Sequence, residues 1–358
     1  MRKIVFWMPR ACMEPAGGFK IVFEYANRLA KDGFPVEIIY PMVHYGARYD
    51  WKHAIVYRLI FLWRLIFRTY RPTKWFRIED SIQQRWLWNL ENYQLKEPAV
   101  IVATAIETAY SLQNYQSKYL EDKFYFIQDF ENWSFTDAQV NESYHFSIKK
   151  IVISQWLKDI IEKSGETAIL IPNGFDFNFF KVKKPITDRN RYEIICMYHK
   201  DQRKDFSTAF KALDIVKKII PQLHVTLFGV YDKPDLPIWF DYYQRPEKEL
   251  FNKLYNNASI YVGSSQIEGW GLTVGEAMQC GCAVACTDNK GYLEMAKDGE
   301  TALVSPVKDP QALAKSIIRL IEDDQLRHTI AMNGNKFIYE FDIEKSYLKL
   351  KKFLNEIN

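Results

Sequence analysis

Two glutamates eight residues apart delimit the segment with the clearest chemical potential, Glu268-Gly-Trp-Gly-Leu-Thr-Val-Gly-Glu276-Ala-Met-Gln-Cys-Gly281. Gly269 and Gly271 flank Trp270, and without a Cβ their backbone amides can approach a ligand closely. A helical pattern follows from about Thr273. Its unpaired N–H groups and positive dipole end suit a phosphate or a sugar oxygen. Leu272 and Thr273 belong to this turn, and Glu268 and Glu276 are expected to face the ligand from its two sides. Glu276 would also gain about 0.3–1 kcal/mol merely by lying in the first turn of a helix, so a structural role stays open. A dinucleotide fingerprint fits less well: Gly269, Gly271 and Gly275 have the wrong last spacing and do not directly follow a strand.

The second cluster is His199-Lys200-Asp201-Gln202-Arg203-Lys204, placed between a predicted strand and a helix predicted to begin near Asp205. The helix dipole disfavours cations at that end by a few tenths of a kcal/mol to about 1 kcal/mol, and an anion bound between them reverses the sign. The plain alternative is a solvated basic turn. A pair of carboxylates also suits a retaining glycosidase, but that chemistry has no use for a basic anion-gripping loop. No Asp-x-Asp pair offers itself to a metal at a strand end. The negative charge of a leaving group would then fall to Lys204, Arg203, His199 and the helix dipole. A serine hydrolase is disfavoured, since no Gly-x-Ser-x-Gly elbow occurs.

The first cluster resembles the Glu-x7-Glu signature of family 4 retaining glycosyltransferases, usually written E-G-F-G-L-x-x-x-E-A-M-A-x-G. Both glutamates, Gly269, Gly271, Leu272, Ala277, Met278 and Gly281 match, and Trp270 stands where Phe is usual. Pro15-Ala-Gly17-Gly18 is similar to the family's N-terminal Gly-Gly loop, and Ile171-Pro-Asn173-Gly174-Phe-Asp176 to its I-P-N-G-V-D crossing. Residues 302–310 are similar to its distal strand and helix. The resemblance covers nearly the whole chain and is weakest between residues 41 and 98.

What the resemblance implies is a GT-B fold and transfer of a sugar from a nucleotide-diphosphate donor to a glycan or lipid-linked acceptor, with retained anomeric configuration and no metal. Glu276 would hold the ribose hydroxyls, and Glu268 with the backbone of 269–272 the donor sugar, with Gly17, Gly18 and Thr273 also on the donor side. The family grips the diphosphate with an Arg and a Lys five residues apart. Lys204 matches that Lys, His199 takes the Arg position, and Arg203 is read as a spare cation. A diphosphate oxygen would take the acceptor proton, and no cofactor is implied beyond the nucleotide sugar as co-substrate. Where many relatives have His-Asp, this chain reads Phe126-Ile-Gln128-Asp129-Phe-Glu131, a form similar to rhamnosyltransferase-like members. Gln128 can bond a sugar hydroxyl but cannot act as acid or base, and Asp129 orients the acceptor or caps the next turn. These departures leave open a second reading, a catalytically silent GT-B scaffold subunit of a transferase complex.

The elements that must position these clusters follow from periodicity. Strand candidates at residues 3–8, 36–40, 100–104, 124–128, 151–154 and 168–171 alternate with helical patterns, the first marked by Phe19, Val22, Phe23, Ala26, Leu29 and Ala30 and closed by Gly33. The alternation restarts at 193–198, with strands at 223–228, 260–263 and 283–286. Strand, helix, strand at this spacing means a parallel sheet with crossover helices. The expected class is therefore α/β, with two Rossmann-like doubly wound domains facing a central cleft lined by strand C-termini. The domains are placed at 1–174 and 175–342, which the resemblance makes the acceptor and the donor side, with the base read by the loop near 243–246 and a helix at 343–358 packing back on the N-terminal domain.

Composition sets the frame. The chain has 358 residues, 48% hydrophobic and 26% charged, which suits two folded domains and excludes disorder. Its net charge of +4 is concentrated. Residues 51–78 carry seven cations (Lys52, Arg58, Arg64, Arg68, Arg71, Lys74, Arg77), eight aromatics and no acid, leaving 41 cations against 44 acids elsewhere, or −3. As a helix, this segment would place Arg64, Arg68 and Arg71 on one side and Ile55, Leu59, Leu62, Trp63 and Ile66 on the other, a pattern suited to an anionic membrane surface. The alternative is a helix packed on the N-terminal domain, with Arg side chains lying over it; nucleic-acid binding is not expected. Five cysteines, an odd number, indicate reduced thiols and a cytoplasmic setting, peripheral on the inner face of the membrane. Cys280, Cys282 and Cys286 lack the partners a zinc site needs. The N-terminus reads as a first strand rather than a leader, and residues 59–67, broken by Arg64, fall far short of the ~20 a spanning helix requires.

Overall fold

A computed structural model describes residues 1–43, 45 and 51–355. The chain divides into two units, Met1–Pro172 with Tyr347–Asn358, and Asn173–Ser346. Both are doubly wound parallel sheets, the α/β class expected from the alternating pattern.

In the first unit the strands are β1 (Lys3–Trp7), β2 (Val36–Pro41), β3 (Gln83–Leu87), β4 (Ala99–Ala103), β5 (Leu120–Ile127), β6 (Lys149–Val152) and β7 (Ala168–Leu170), with helices α1 (Gly17–Lys31), α2 (Trp51–Phe67), α3 (Ile106–Gln113), α4 (Asp137–Tyr144) and α5 (Gln155–Lys163). The sheet order is β3-β2-β1-β4-β5-β6-β7, every described pairing parallel. β2 and β4 are buried along their whole length because helices cover both faces, and so they read as near-continuous apolar runs. α1 turns Ile21, Val22, Phe23, Tyr25, Ala26 and Leu29 inward.

The strand β3 was not anticipated. Its Gln-Gln-Arg-Trp-Leu sequence buries only Trp86 because it lies at the sheet edge, where the burial that makes a strand legible is half missing. It pairs with β2 in register Ile38 with Gln84.

Residues 51–78 do not form one amphipathic helix. α2 stops at Phe67, and Arg68 takes a left-handed conformation at φ 51°. Arg68 and Arg71 therefore leave the helix, and Arg71 lies over the Tyr70 ring, 5.8 Å from its centre. Arg64 points toward the sheet, its guanidinium 5.5 Å from the Trp86 ring. Phe61 stacks on the same indole at 5.9 Å. The expected basic side thus faces protein at Arg64, while Ile55, Leu59, Leu62, Trp63, Ile66 and Phe67 are 51–71% exposed. Lys52 lies among residues whose side chains are outside the described set.

In the second unit the strands are β8 (Glu193–Met197), β9 (His224–Gly229), β10 (Phe240–Gln244), β11 (Ile260–Gly263), β12 (Ala283–Thr287) and β13 (Leu303–Ser305), ordered β10-β9-β8-β11-β12-β13. Its helices are α6 (Phe206–Ile219), α7 (Lys248–Asn257), α8 (Leu272–Gln279), α9 (Pro310–Glu322) and α10 (Asp324–Ile338). The core joins Ile194, Val225, Leu227, Ile260 and Val262 of the sheet to Leu213, Val216, Leu313 and Ile317 of the helices. Phe175 and Asp342 form a parallel bridge, closed by Phe175 N–H donating to Phe341 O (2.8 Å) and Ile343 N–H to Phe175 O (3.1 Å). The Phe175 ring fills the space beside Gly275 on α8, where a Cβ would come within 2.0 Å of it. The residues 243–246, expected as a loop, begin on the edge strand β10.

The last helix, α11 (Ile343–Asn355), starts in the second unit and from Tyr347 onward counts with the first. There Tyr347 Oη donates to Arg28 O (3.2 Å), Lys351 Nζ reaches Asp32 at 2.6 Å and Phe353 meets Phe124 edge-on.

Candidate functional site

The second unit gathers the two chemical clusters at the C-terminal ends of β8 and β11. After β8 the chain passes His199 and makes a single 3-10 turn, Gln202–Lys204, before α6. Asp205 enters α6 in a left-handed conformation (φ 44°) and caps it: its carboxylate accepts from Thr208 N–H (3.2 Å) and from the Thr208 hydroxyl (2.8 Å). Asp201 shapes the preceding turn. Its Oδ1 accepts the Arg203 amide at 2.9 Å, and its Oδ2 pairs with the Arg203 guanidinium at 2.7 Å. Burial opposes ionisation of Asp201, but the Arg203 bonds outweigh it and hold the carboxyl below the usual range. Arg203 is therefore committed to Asp201 in this structure and is not the spare cation expected.

Lys204 and Glu268 are brought together, Nζ to Oε2 at 2.7 Å, across 64 residues of sequence. Glu268 is 9% exposed. Its other oxygen accepts the Ser265 hydroxyl (2.8 Å), which in turn accepts the Tyr292 hydroxyl (3.0 Å). The loop after β11 is tied to the basic turn through Ser264 Oγ donating to Asp205 O (2.8 Å) and Gln266 N–H to Arg203 O (2.7 Å). These bonds explain why two segments distant in sequence present one charged surface.

α8 begins one residue earlier than expected. Gly271 is its N-cap at φ 105°, a conformation only glycine adopts without strain, and a Cβ there would lie 2.5 Å from the Tyr292 ring. No side chain caps this end, so backbone amides of 271–273 supply its polarity. Glu276 is the fifth helical residue and lies past the first turn, so the dipole benefit expected for it does not apply. It is 6% exposed, with the Tyr255 hydroxyl at 3.5 Å. Two further expectations change. Trp270 is only 3% exposed and packs edge-on to Phe341 at 5.1 Å, so its backbone rather than its indole is on offer. The Thr273 hydroxyl accepts from Tyr261 (2.8 Å).

His199 differs from the cation its position suggests. The Asp201 amide donates to Nδ1 at 2.9 Å, and Nε2 lies 3.5 Å from the Tyr231 hydroxyl. Burial first, and then the Lys204 charge, lower its pKa below the ordinary imidazole value, which favours the neutral ring. Tyr231 was not singled out in the sequence; its position just past β9 was the available signal.

In the first unit, α1 opens at Gly17 with Ala16 as an N-cap that has no side-chain oxygen. The Gln128 amide lies against it, within 3.3 Å of where a Cβ on Gly18 would stand, and its Oε1 is buried without a protein partner. Asp129 accepts the Phe130 amide at 2.9 Å. The residue overlooked is Glu131, 5% exposed, whose carboxyl accepts the Ile106 amide and so serves the start of α3, where Ala105 has no oxygen to offer. Burial, with Glu107 adding to it, raises its pKa well above the carboxylate range. Cys280, Cys282 and Cys286 are buried free thiols; burial raises the pKa of each. Among the described residues no helix is long and apolar enough to cross a membrane.

Residues 178–337 match the family described as glycosyl transferases group 1. An uncharacterized glycosyltransferase of Methanocaldococcus jannaschii is 32% identical over 59% of this chain and 60% of its own length. The phosphatidyl-myo-inositol mannosyltransferase of Mycolicibacterium smegmatis is 24% identical over 51% of this chain and 50% of its own. The chain thus spans between half and three-fifths of these two relatives. Among solved structures, Anabaena HepE in complex with UDP and glucose superposes with a TM-score of 0.71 at 16% identity, covering 99% of both chains.

Proposed function

We propose that this GT-B chain is a nucleotide-sugar-dependent glycosyltransferase, with the donor held by the second unit through Lys204, Glu268 and the glycine-opened start of α8. The observation that carries the reading is the Lys204–Glu268 pair at 2.7 Å beside uncapped helix amides. Such a constellation offers a cation and N–H donors to a diphosphate and a carboxylate to sugar hydroxyls. It stabilises charge that appears on the leaving group as the sugar departs. The two relatives, a glycosyltransferase and a mannosyltransferase, support transfer of a sugar, and HepE, similar in fold, is held with UDP and glucose.

The reaction is read as retaining and independent of metal. The acceptor hydroxyl attacks from the face the diphosphate leaves, and a diphosphate oxygen takes its proton, so no protein base is required. Glu276 serves the ribose, while Gln128 and Asp129 of the first unit serve the acceptor. The acceptor is read as a glycan or a lipid-linked sugar: the exposed Ile55, Leu59, Leu62, Trp63, Ile66 and Phe67 of α2 are side chains that suit the interfacial zone of a membrane.

Binding alone provides a first test. A nucleoside diphosphate at 100 times its Kd stabilises the protein by about 2.7 kcal/mol, worth a rise in Tm of about 5–10 °C for a unit of this size. Thermal unfolding with UDP, GDP, ADP and dTDP in turn should show such a rise with at least one. No shift with any of them contradicts the donor site.

A further inference from the structure

The position that the diphosphate grip gives to an arginine is held here by a side chain whose tautomer is fixed by its own loop. With the Asp201 amide donating to Nδ1, that nitrogen carries the lone pair, and in the neutral ring the proton sits on Nε2. Nε2 faces the Tyr231 hydroxyl at 3.5 Å, the outer edge of hydrogen-bond range, and the two rings meet edge-on at 5.0 Å. A proton on Nδ1 would set donor against donor and break the bond that shapes the turn. The charged groups around the ring are already engaged with one another: Asp201 with Arg203 and Glu268 with Lys204, each at 2.7 Å. On the far side, Lys200 lies over the Tyr231 ring, 5.3 Å from its centre. Burial and Lys204, with Arg203 adding to them, outweigh the pull of Asp201 and Glu268 on the imidazole proton.

We propose that His199 binds the donor diphosphate as a neutral imidazole, its Nε2–H leaving the Tyr231 hydroxyl to donate to a phosphate oxygen, while the formal charge of the grip comes from Lys204. This rests on the reading of residues 199–204 as the diphosphate site. Direction then replaces charge at this end of the leaving group, and the grip does not weaken as pH rises through the ordinary imidazole range. Tyr231 parks the donor hydrogen when no nucleotide is bound.

Amide substitutions separate the two ring nitrogens. Glutamine sets an N–H near the Nε2 position, whereas asparagine sets an oxygen near Nδ1 and no donor at Nε2. With whichever sugar donor of a UDP, GDP, ADP and dTDP series is consumed, His199→Gln should retain at least about tenfold more kcat/KM than His199→Asn. His199→Asn should lose about tenfold or more, and the parent-to-Gln ratio should stay constant from about pH 6 to 8.5. Nitrogen-15 spectra of the imidazoles, with His199→Gln identifying the resonance, should show one protonated and one bare nitrogen for His199 with and without the nucleotide. A parent-to-Gln ratio falling about tenfold per pH unit, or a doubly protonated ring in the nucleotide complex near pH 7.5, overturns the neutral grip and leaves the donor site standing. If no nucleoside diphosphate binds at all, the donor site falls and the neutral grip with it.

Discussion

Lys204 and Glu268 neutralise each other at a place where their side chains keep only 25% and 12% of their exposure. A pair this far from water is costly to break by removing one member, because the other is left as an uncompensated charge. When a diphosphate draws Lys204 away, Glu268 keeps the Ser265 hydroxyl and takes the donor sugar's hydroxyls in place of the ammonium. Lys204→Met keeps most of the stem and deletes the charge. It should lower kcat/KM by about 100-fold or more, about 2.7–4 kcal/mol of lost electrostatic stabilisation, with the fold retained by circular dichroism. Steady-state kinetics at saturating acceptor check this, and an unchanged kcat/KM removes Lys204 from the site. His199 adds a pH term of known sign. Its folded pKa is lowered, so the Asp201 bond contributes fully above the ordinary imidazole value and is lost as pH falls through the lowered one. Most of these side chains could be read in the sequence as a basic turn and a glutamate pair. Their partners could not: the commitment of Arg203 to Asp201 and the tautomer of His199 depend on a 3-10 turn that composition does not reveal.

Helix α2 shows how an element can be legible in type and wrong in detail. Its apolar and basic residues were both visible, but a left-handed Arg68 ends it before the expected stripe of arginines is complete. Arg64 then serves Trp86 of β3 instead of solvent, which turns the apolar side outward. Neither outcome was accessible, because β3 is an edge strand with one buried residue and gives no periodic signal. The buried strands β1, β2, β4, β8, β11 and β12 were legible for the opposite reason, their apolar runs being dictated by helices on both faces. If the outward face of α2 meets lipid, replacing Leu59 and Ile66 by Asp removes buried apolar contact worth about 1.5–3 kcal/mol per side chain. Co-sedimentation with vesicles containing anionic lipid should then fall at least tenfold while the thermal stability of the protein is kept. Equal sedimentation of parent and variant places the membrane contact elsewhere or nowhere.

For the molecule as a whole, two parallel sheets in one chain were implied by the restart of strand–helix alternation near residue 193, and both were found. The chemistry is divided unequally between them. The second unit carries the charged pair, the helix amides and the family match over residues 178–337, whereas the first offers the Gly17–Gly18 opening with Gln128 against it and the exposed α2. Weak resemblance between residues 41 and 98 coincides with α2 and β3, the parts whose sequence answers to solvent or an edge rather than to a shared core. Release of nucleoside diphosphate from sugar donors tests the proposed activity most directly. Purified protein is incubated with UDP-, GDP-, ADP- and dTDP-linked sugars, and mass spectrometry follows the products. The expected result is slow consumption of at least one donor without acceptor, with nucleoside diphosphate and free sugar formed together. Full recovery of every donor, with nucleoside diphosphates failing to bind, would contradict a glycosyltransferase.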